Sequence, residues 1–91
     1  MKDKETEAQA IQRFSKAMHA KMVERRARYK PFGWRDLNYK TVDDLRRHLR
    51  EEMKEFEMSG DVEDEMSELV DVANCAFMLH DRLRLDNTPK T

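Results

Sequence analysis

Residues 51–71 read EEMKEFEMSGDVEDEMSELVD, and the fold turns on how this stretch is read. Glu51, Glu52 and Glu55 precede a short Ser59-Gly60-Asp61 break, and Glu68 and Asp71 follow it. The pattern is E-E-x-x-E and then E-x-x-D. Side chains three apart on a helix share a face, so Glu52 points with Glu55 and Glu68 with Asp71. Gly60 can take the left-handed conformation that ends a helix, and Ser59 or Asp61 can cap the next one. A helical hairpin follows, with two carboxylates facing two. Glu52 and Glu68 each lie eight residues from Gly60, so antiparallel helices rising about 1.5 Å per residue bring them level. Four carboxylates so placed repel unless they are protonated or share a cation. Hard oxygen donors in a cluster suit Mg²⁺, with Mn²⁺ as an alternative.

Working outward, Thr41 opens the first helix of the hairpin as N-cap, and Asp44 completes a variant of the capping box. The apolar stripe is Val42, Leu45, Leu49, Met53 and Phe56. Glu52 lies about 20° from Leu45 on the wheel, inside the edge of this stripe. A carboxylate at a core-facing position is costly unless paired or metal-bound, which sets Glu52 apart from the solvated acids. His48, one turn earlier, is placed to hydrogen-bond it. The second helix runs from Asp61 to about Leu85, and residues 72–79 are apolar nearly all round. Such a helix is buried on every side, which calls for a second subunit.

Residues 1–29 contain a long helix, from Asp3 to Tyr29, with Ala8, Ile11, Phe14, Met18 and Met22 at helical spacing. Residues 30–40, KPFGWRDLNYK, interrupt the pattern at Pro31 and Gly33 and carry Phe32, Trp34, Leu37 and Tyr39. Two roles are open for this aromatic loop. Trp34 can plug the end of the bundle, or the aromatics can line a nucleobase pocket, with Lys30, Arg35 and Lys40 near its phosphates. Residues 86–91, with Pro89, read as a tail.

The chain has 91 residues, 38% apolar and 41% charged, which fits one domain with a thin core completed in a homodimer or homotetramer. Two Gly and two Pro favour long helices over a sheet. One cysteine, Cys75, excludes an internal disulfide and fits a reducing, cytoplasmic setting. No apolar run reaches the roughly 20 residues of a membrane span. Residues 1–50 carry fourteen Lys/Arg against seven Asp/Glu, and residues 51–91 carry four against twelve. An acidic nest beside a basic half is what a metal–polyphosphate site requires, although two oppositely charged faces can also simply pair. The basic charges are spread out, which makes nucleic acid an unlikely partner. Glu-x-x-His pairs for a di-iron bundle are absent, and residues 61–65 lack the glycine and spacing of a calcium loop.

The paired acidic motif at 51–55 and 68–71 resembles the signature of the all-α nucleoside triphosphate pyrophosphohydrolases, the MazG-like superfamily. The resemblance spans roughly residues 30–83, including a Trp ahead of the first acidic helix. It implies an all-α, three-helix subunit forming four-helix-type bundles on oligomerisation. It also implies Mg²⁺-dependent cleavage of a nucleoside triphosphate to monophosphate and pyrophosphate. The metal ligands implied are Glu52, Glu55, Glu68 and Asp71, with Glu51 or Glu55 as base and Asn74 as a substrate contact. Lys54, Arg35, Lys30, Arg82 and the first-helix arginines are candidate cations for the phosphates, with Trp34 at the base. Two other classes remain open: a non-catalytic helical interaction protein, and a phosphoribosyl-ATP pyrophosphohydrolase-like enzyme.

Overall fold

The computed structural model describes residues 4–27, 31–36 and 40–87. Among these the chain is helical, with α1 at Glu7–Glu24, α2 at Val42–Glu57 and α3 at Val62–Asp86. Short 3₁₀ turns at Arg25–Ala27 and Gly33–Arg35 join the first two helices. Tyr29, Lys30, Leu37, Tyr39 and residues 88–91 lie outside the described residues, as does Asp3.

Helix α1 starts later than the expected residue 3, because Thr6 stops it with a capping box. The Thr6 hydroxyl accepts from the Gln9 N–H at 3.2 Å, and the Gln9 amide oxygen accepts from the Thr6 N–H at 2.9 Å. The helix also ends short of residue 29, tightening into 3₁₀ geometry at Arg25–Ala27. Helix α2 begins as expected: Thr41 and Asp44 exchange two hydrogen bonds of 3.0 Å.

The turn between α2 and α3 is not made as the sequence suggested. No described glycine has positive φ, so Gly60 is not a left-handed cap. Met58 closes α2 in ordinary right-handed space, at φ −93° and ψ 0°. Its N–H is shared by the carbonyls of Lys54 and Glu55 at 3.1 and 3.2 Å. The N–H and hydroxyl of Ser59 both donate to the Phe56 carbonyl. With the last carbonyls satisfied this way, no left-handed residue is needed. Asp61, in extended conformation, then caps α3 by accepting from the Asp64 N–H at 2.8 Å.

Helix α3 is the common support, packed by both α2 and α1. Its C-terminal half holds the aromatic loop through one buried carboxylate. Asp81 accepts from the Trp34 indole N–H at 2.8 Å, from Arg35 Nε at 2.7 Å and from Arg84 at 2.9 Å. Arg82, also buried, donates to the carbonyls of Trp34 and Lys40 at 2.9 and 2.7 Å. The Trp34 ring meets Phe77 edge-on at 5.8 Å, so Trp34 does close the end of the bundle. Phe32 is held at φ 56°, left-handed space that costs a bulky residue about 1–2 kcal/mol. The Arg35 guanidinium 4.3 Å above its ring offsets part of that cost.

The interior is small and unusually polar. Among the described residues the buried apolar side chains are Leu45 and Cys75, whereas Glu52, Asp71, Asn74, Asp81 and Arg82 are all buried. Ile11, Val62 and Met66 are each more than three-fifths exposed, and Phe14, Leu69 and Phe77 about two-fifths. The radius of gyration is 15.1 Å, against about 12 Å for a compact chain of this length. The 72–79 segment is therefore covered on the faces toward α1 and α2, with Ala76 and Phe77 left open. No described helix is long and apolar enough to cross a membrane.

The Asp81 carboxyl is held well below the usual carboxylate range, chiefly by the Arg35 hydrogen bonds and then by Trp34 and Arg84. Asp81→Asn keeps an acceptor for Trp34 but loses the charge that holds the two guanidinium groups. Arg35 is partly exposed, so the expected cost is about 2 kcal/mol, a fall in Tm of about 10 °C. Trp34 emission should shift to the red as the loop loosens. A melting temperature within about 2 °C of wild type would remove Asp81 as the anchor of this loop.

Candidate functional site

Helices α2 and α3 bring three carboxylates together near the turn. One oxygen each from Glu52, Glu55 and Glu68 lies within 4.8 Å of the others. Three groups place them: the Thr41 cap sets the phase of α2, the Asp61 cap sets that of α3, and the turn keeps the helices antiparallel. Glu52 is buried, Glu68 half-buried and Glu55 exposed. The expectation that Glu52 sits inside the apolar stripe therefore holds, and Glu68 meets it across the hairpin as the eight-residue spacing implied.

The electrostatics make this grouping costly in the bare protein. Two full charges at 4.8 Å repel by about 3 kcal/mol at an effective dielectric near 20. Burial, then the hydrogen bond and charge of Glu55, then the charges of Asp71 and Glu68, push the Glu52 carboxyl up to about 7. Glu68 is also raised, by burial first and then by Asp71 and Glu55. Glu52 Oε2 and Glu68 Oε2 are buried with no hydrogen-bond partner. Buried acceptors without donors are rare and expensive. Two such oxygens beside a third carboxylate are the donor set of a hard divalent cation.

His48 Nε2 stands 3.4 Å from Glu52 Oε1, as its position one turn earlier predicted. Burial, followed by the charge of Lys40, lowers its pKa, so the ring is held neutral more readily than a free imidazole. The two groups are close without the alignment of a hydrogen bond, and Glu52 Oε2 has no hydrogen-bond partner.

Asp71 departs from the four-carboxylate picture. Its Oδ2 lies 3.0 Å from Lys21 Nζ and its Oδ1 3.1 Å from Arg25 Nη2. The Arg25 contact is a charge contact off hydrogen-bond alignment, since Oδ1 has no hydrogen-bond partner. Lys21 also donates to the Ser67 carbonyl and hydroxyl, each at 2.7 Å. Asn74 donates through Nδ2 to the Met18 carbonyl at 3.1 Å, and its Oδ1 is buried without a partner.

Beside the triad, and reaching it through His48, is a cavity of about 290 Å³. Phe32, Trp34, Phe77, Met22 and Met78 supply its apolar wall. Lys21, Arg25, Arg26 and Lys40 reach it from α1 and the end of the loop, against the single carboxylate Asp71. Asn74 opens onto it. An apolar slot lined in part by cationic side chains, with a carboxylate triad next to its His48, has the layout of a site for an anionic, partly aromatic ligand.

The other sequence candidates fall as follows. Trp34 lines the cavity while its N–H is spent on Asp81. Arg35 is tied to the same carboxylate. Arg82 is buried and bonded to the Trp34 and Lys40 carbonyls and to Asp86 of α3, which makes it a structural cation. Glu51 is exposed, 3.8 Å from Arg47, and Lys54 is exposed on α2. Lys30 lies outside the described residues. Sequence reasoning named the first-helix arginines as a group but passed over Lys21, Ser67 and Asp81. Lys21 did carry a signal: it falls on the stripe of Met18 and Met22, the same anomaly that marked Glu52.

No family model, curated protein or solved structure matches this chain. The functional reading accordingly rests on the chemistry of the site.

The raised Glu52 carboxyl fixes a sign for stability. The folded chain holds a proton that the unfolded chain releases near 4.5, so this contribution is full below about 4.5 and is lost as pH rises through about 7. Metal-free wild type and Glu52→Gln should therefore melt close together at about pH 5. By about pH 8 the variant should be the more stable, by up to about 3 kcal/mol. His48, lowered by burial, acts in the opposite sense in both proteins, and the comparison removes it. Melting curves from about pH 5 to 8 in EDTA test this, and a variant less stable throughout would contradict it.

Proposed function

We propose that this chain is a Mg²⁺-dependent nucleoside triphosphate pyrophosphohydrolase of the MazG-like kind, converting a (d)NTP and water to a (d)NMP and pyrophosphate. The observation that carries the reading is the Glu52–Glu55–Glu68 triad with its two orphaned buried oxygens, set beside a cavity with an aromatic wall and a cationic rim. Glu52, Glu55 and Glu68 would hold the metal, with Mn²⁺ able to replace Mg²⁺. The bound cation would neutralise polyphosphate charge and lower the pKa of a water.

The remaining work falls to this chain's own residues. Phe32, Trp34 and Phe77 would receive the base, since aromatic faces stack on bases with little demand on sequence. Asn74 Oδ1 would accept a hydrogen bond from the sugar or base. Arg25 and Arg26, on the cavity wall, would meet phosphate oxygens, a charge-assisted contact that also steadies departing pyrophosphate. Glu55, the exposed member of the triad, is best placed to take the proton of the attacking water. Glu51, directed toward Arg47, would act from further out.

The exposed apolar residues Ile11, Phe14, Val62, Met66 and Leu69 support assembly as a homodimer or homotetramer in which a second copy completes a four-helix bundle. A buried, unreactive Cys75, its thiol pushed up to about 12 chiefly by burial, suits the reducing cytoplasm. A non-catalytic interaction protein remains the second reading, favoured by the Lys21–Asp71 and Arg25–Asp71 pairs that join basic α1 to acidic α3.

Pyrophosphate release from a panel of dNTPs and NTPs, with Mg²⁺ and with EDTA, tests the proposal. Mg²⁺-dependent turnover should appear for at least one nucleotide and fall by about 100-fold or more in Glu52→Gln. Absence of turnover together with no Mg²⁺ shift in Tm would favour the interaction protein. A Mg²⁺ shift without turnover on the panel would move the substrate to another phosphoanhydride, phosphoribosyl-ATP among them.

A further inference from the structure

Of Glu52, Glu55, Glu68 and Asp71, Asp71 is the one whose charge is met by Lys and Arg side chains among the described residues. Lys21 Nζ stands 3.0 Å from its Oδ2 and Arg25 Nη2 3.1 Å from its Oδ1, and the carboxylate is 95% buried. The Lys21 ammonium has three donors, and Asp71, the Ser67 carbonyl and the Ser67 hydroxyl use all three. Glu52 and Glu68, like Asp71, each present a buried oxygen without a hydrogen-bond donor, but neither is ion-paired to a Lys or Arg among the described residues, as Asp71 is. The oxygens that converge across the hairpin come from Glu52, Glu55 and Glu68, and Asp71 is not among them.

The contacts that seat α1 on α3 are themselves polar. Lys21 and Arg25 meet Asp71, Lys21 meets Ser67, and Asn74 meets the Met18 carbonyl. Of the apolar residues earlier on α1, Ile11 is largely exposed and Phe14 about two-fifths exposed. Helix α1 is thus docked through its last two turns, with Asp71 at the centre of the contact. Lys21 and Arg25 also line the cavity.

We infer that Asp71 is not a metal ligand in this protein but a positioning residue, whose carboxylate fixes Lys21 of α1 and Arg25 of the turn that follows it on the wall of the cavity beside the triad. The inference rests on the metal-site reading above and divides the acidic motif in two. Glu52, Glu55 and Glu68 serve the cation, and Asp71 serves the cations of α1. A change at Asp71 should act on α1 and through it on the cavity, and a change at Glu52 should act on the metal.

Mn²⁺ titration followed by electron paramagnetic resonance, with amide hydrogen exchange of residues 18–25, separates the two roles. Glu52→Gln should weaken Mn²⁺ binding about 50-fold or more and leave α1 protection unchanged, while Asp71→Asn should keep Mn²⁺ affinity within about fivefold. Asp71→Asn should instead lose about tenfold or more of the exchange protection in α1. Asp71→Glu, which keeps the charge, should restore most of that protection. Loss of Mn²⁺ binding in Asp71→Asn as deep as in Glu52→Gln, with α1 still protected, would overturn the inference. Should Asp71→Asn fail to fold, Lys21→Met/Arg25→Met decides: loss of α1 protection with Mn²⁺ binding retained supports the inference, and unchanged α1 protection overturns it. Wild-type protein that binds no Mn²⁺ would defeat the metal reading itself, a failure visible before any variant is made.

Discussion

A carboxylate buried between two helices sets the terms for this protein. Glu52 occupies a position that helical phase assigns to the interior, and it meets Glu55 on its own helix and Glu68 on the next. Moving the helices apart would relieve the repulsion, but the packing of α2 on α3 around Leu45 and Cys75 holds them together. Burial and the neighbouring acids raise the Glu52 carboxyl to about 7, which favours its protonated form in the bare protein. A divalent cation would answer more fully, because it also satisfies the buried oxygens that no N–H reaches.

The same electrostatic logic organises the rest of the molecule. Its interior contains more buried polar side chains than buried apolar ones among the described residues, and each sits in a local solution of its own. Asp81 gathers Trp34, Arg35 and Arg84 and ties the aromatic loop to α3. Asp71 gathers Lys21 and Arg25 and ties α1 to α3. Glu52 alone of the three buried acids has no Lys or Arg paired with it among the described residues. A buried acid opposite cations reads as a joint, and one opposite other acids reads as a place for a ligand.

This division gives α3 three tasks along its length. Near its start Glu68 faces α2 and contributes to the triad. Three residues later Asp71 turns to α1, and a further ten bring Asp81 to the loop. The cavity lies between these attachments, walled by the elements that they hold in place. Its aromatic wall and cationic rim depend on side chains from α1, the loop and α3 together, so the site exists only when all three attachments are made.

The local physics was legible in the sequence. Helical phase placed Glu52 in the apolar stripe, the cap at Thr41 and Asp44 fixed the start of α2, and equal spacing from Gly60 brought Glu52 level with Glu68. These features depend on residues a few positions apart, or on a hairpin too short to admit another register. Partner choice across the fold was not legible. Glu68 and Asp71 share a helix face by phase, yet one joins the acids of α2 and the other the cations of α1. That outcome depends on where α1 docks, which the sequence between 28 and 40 does not encode locally. The turn at Gly60 likewise closed without left-handed geometry because Met58 and Ser59 satisfied the carbonyls first. The sequence by itself determined three helices and a buried acid between two of them. Only the tertiary structure decided which charges that acid and its neighbours would face, because charge partners are chosen by proximity in space and helical phase constrains only direction.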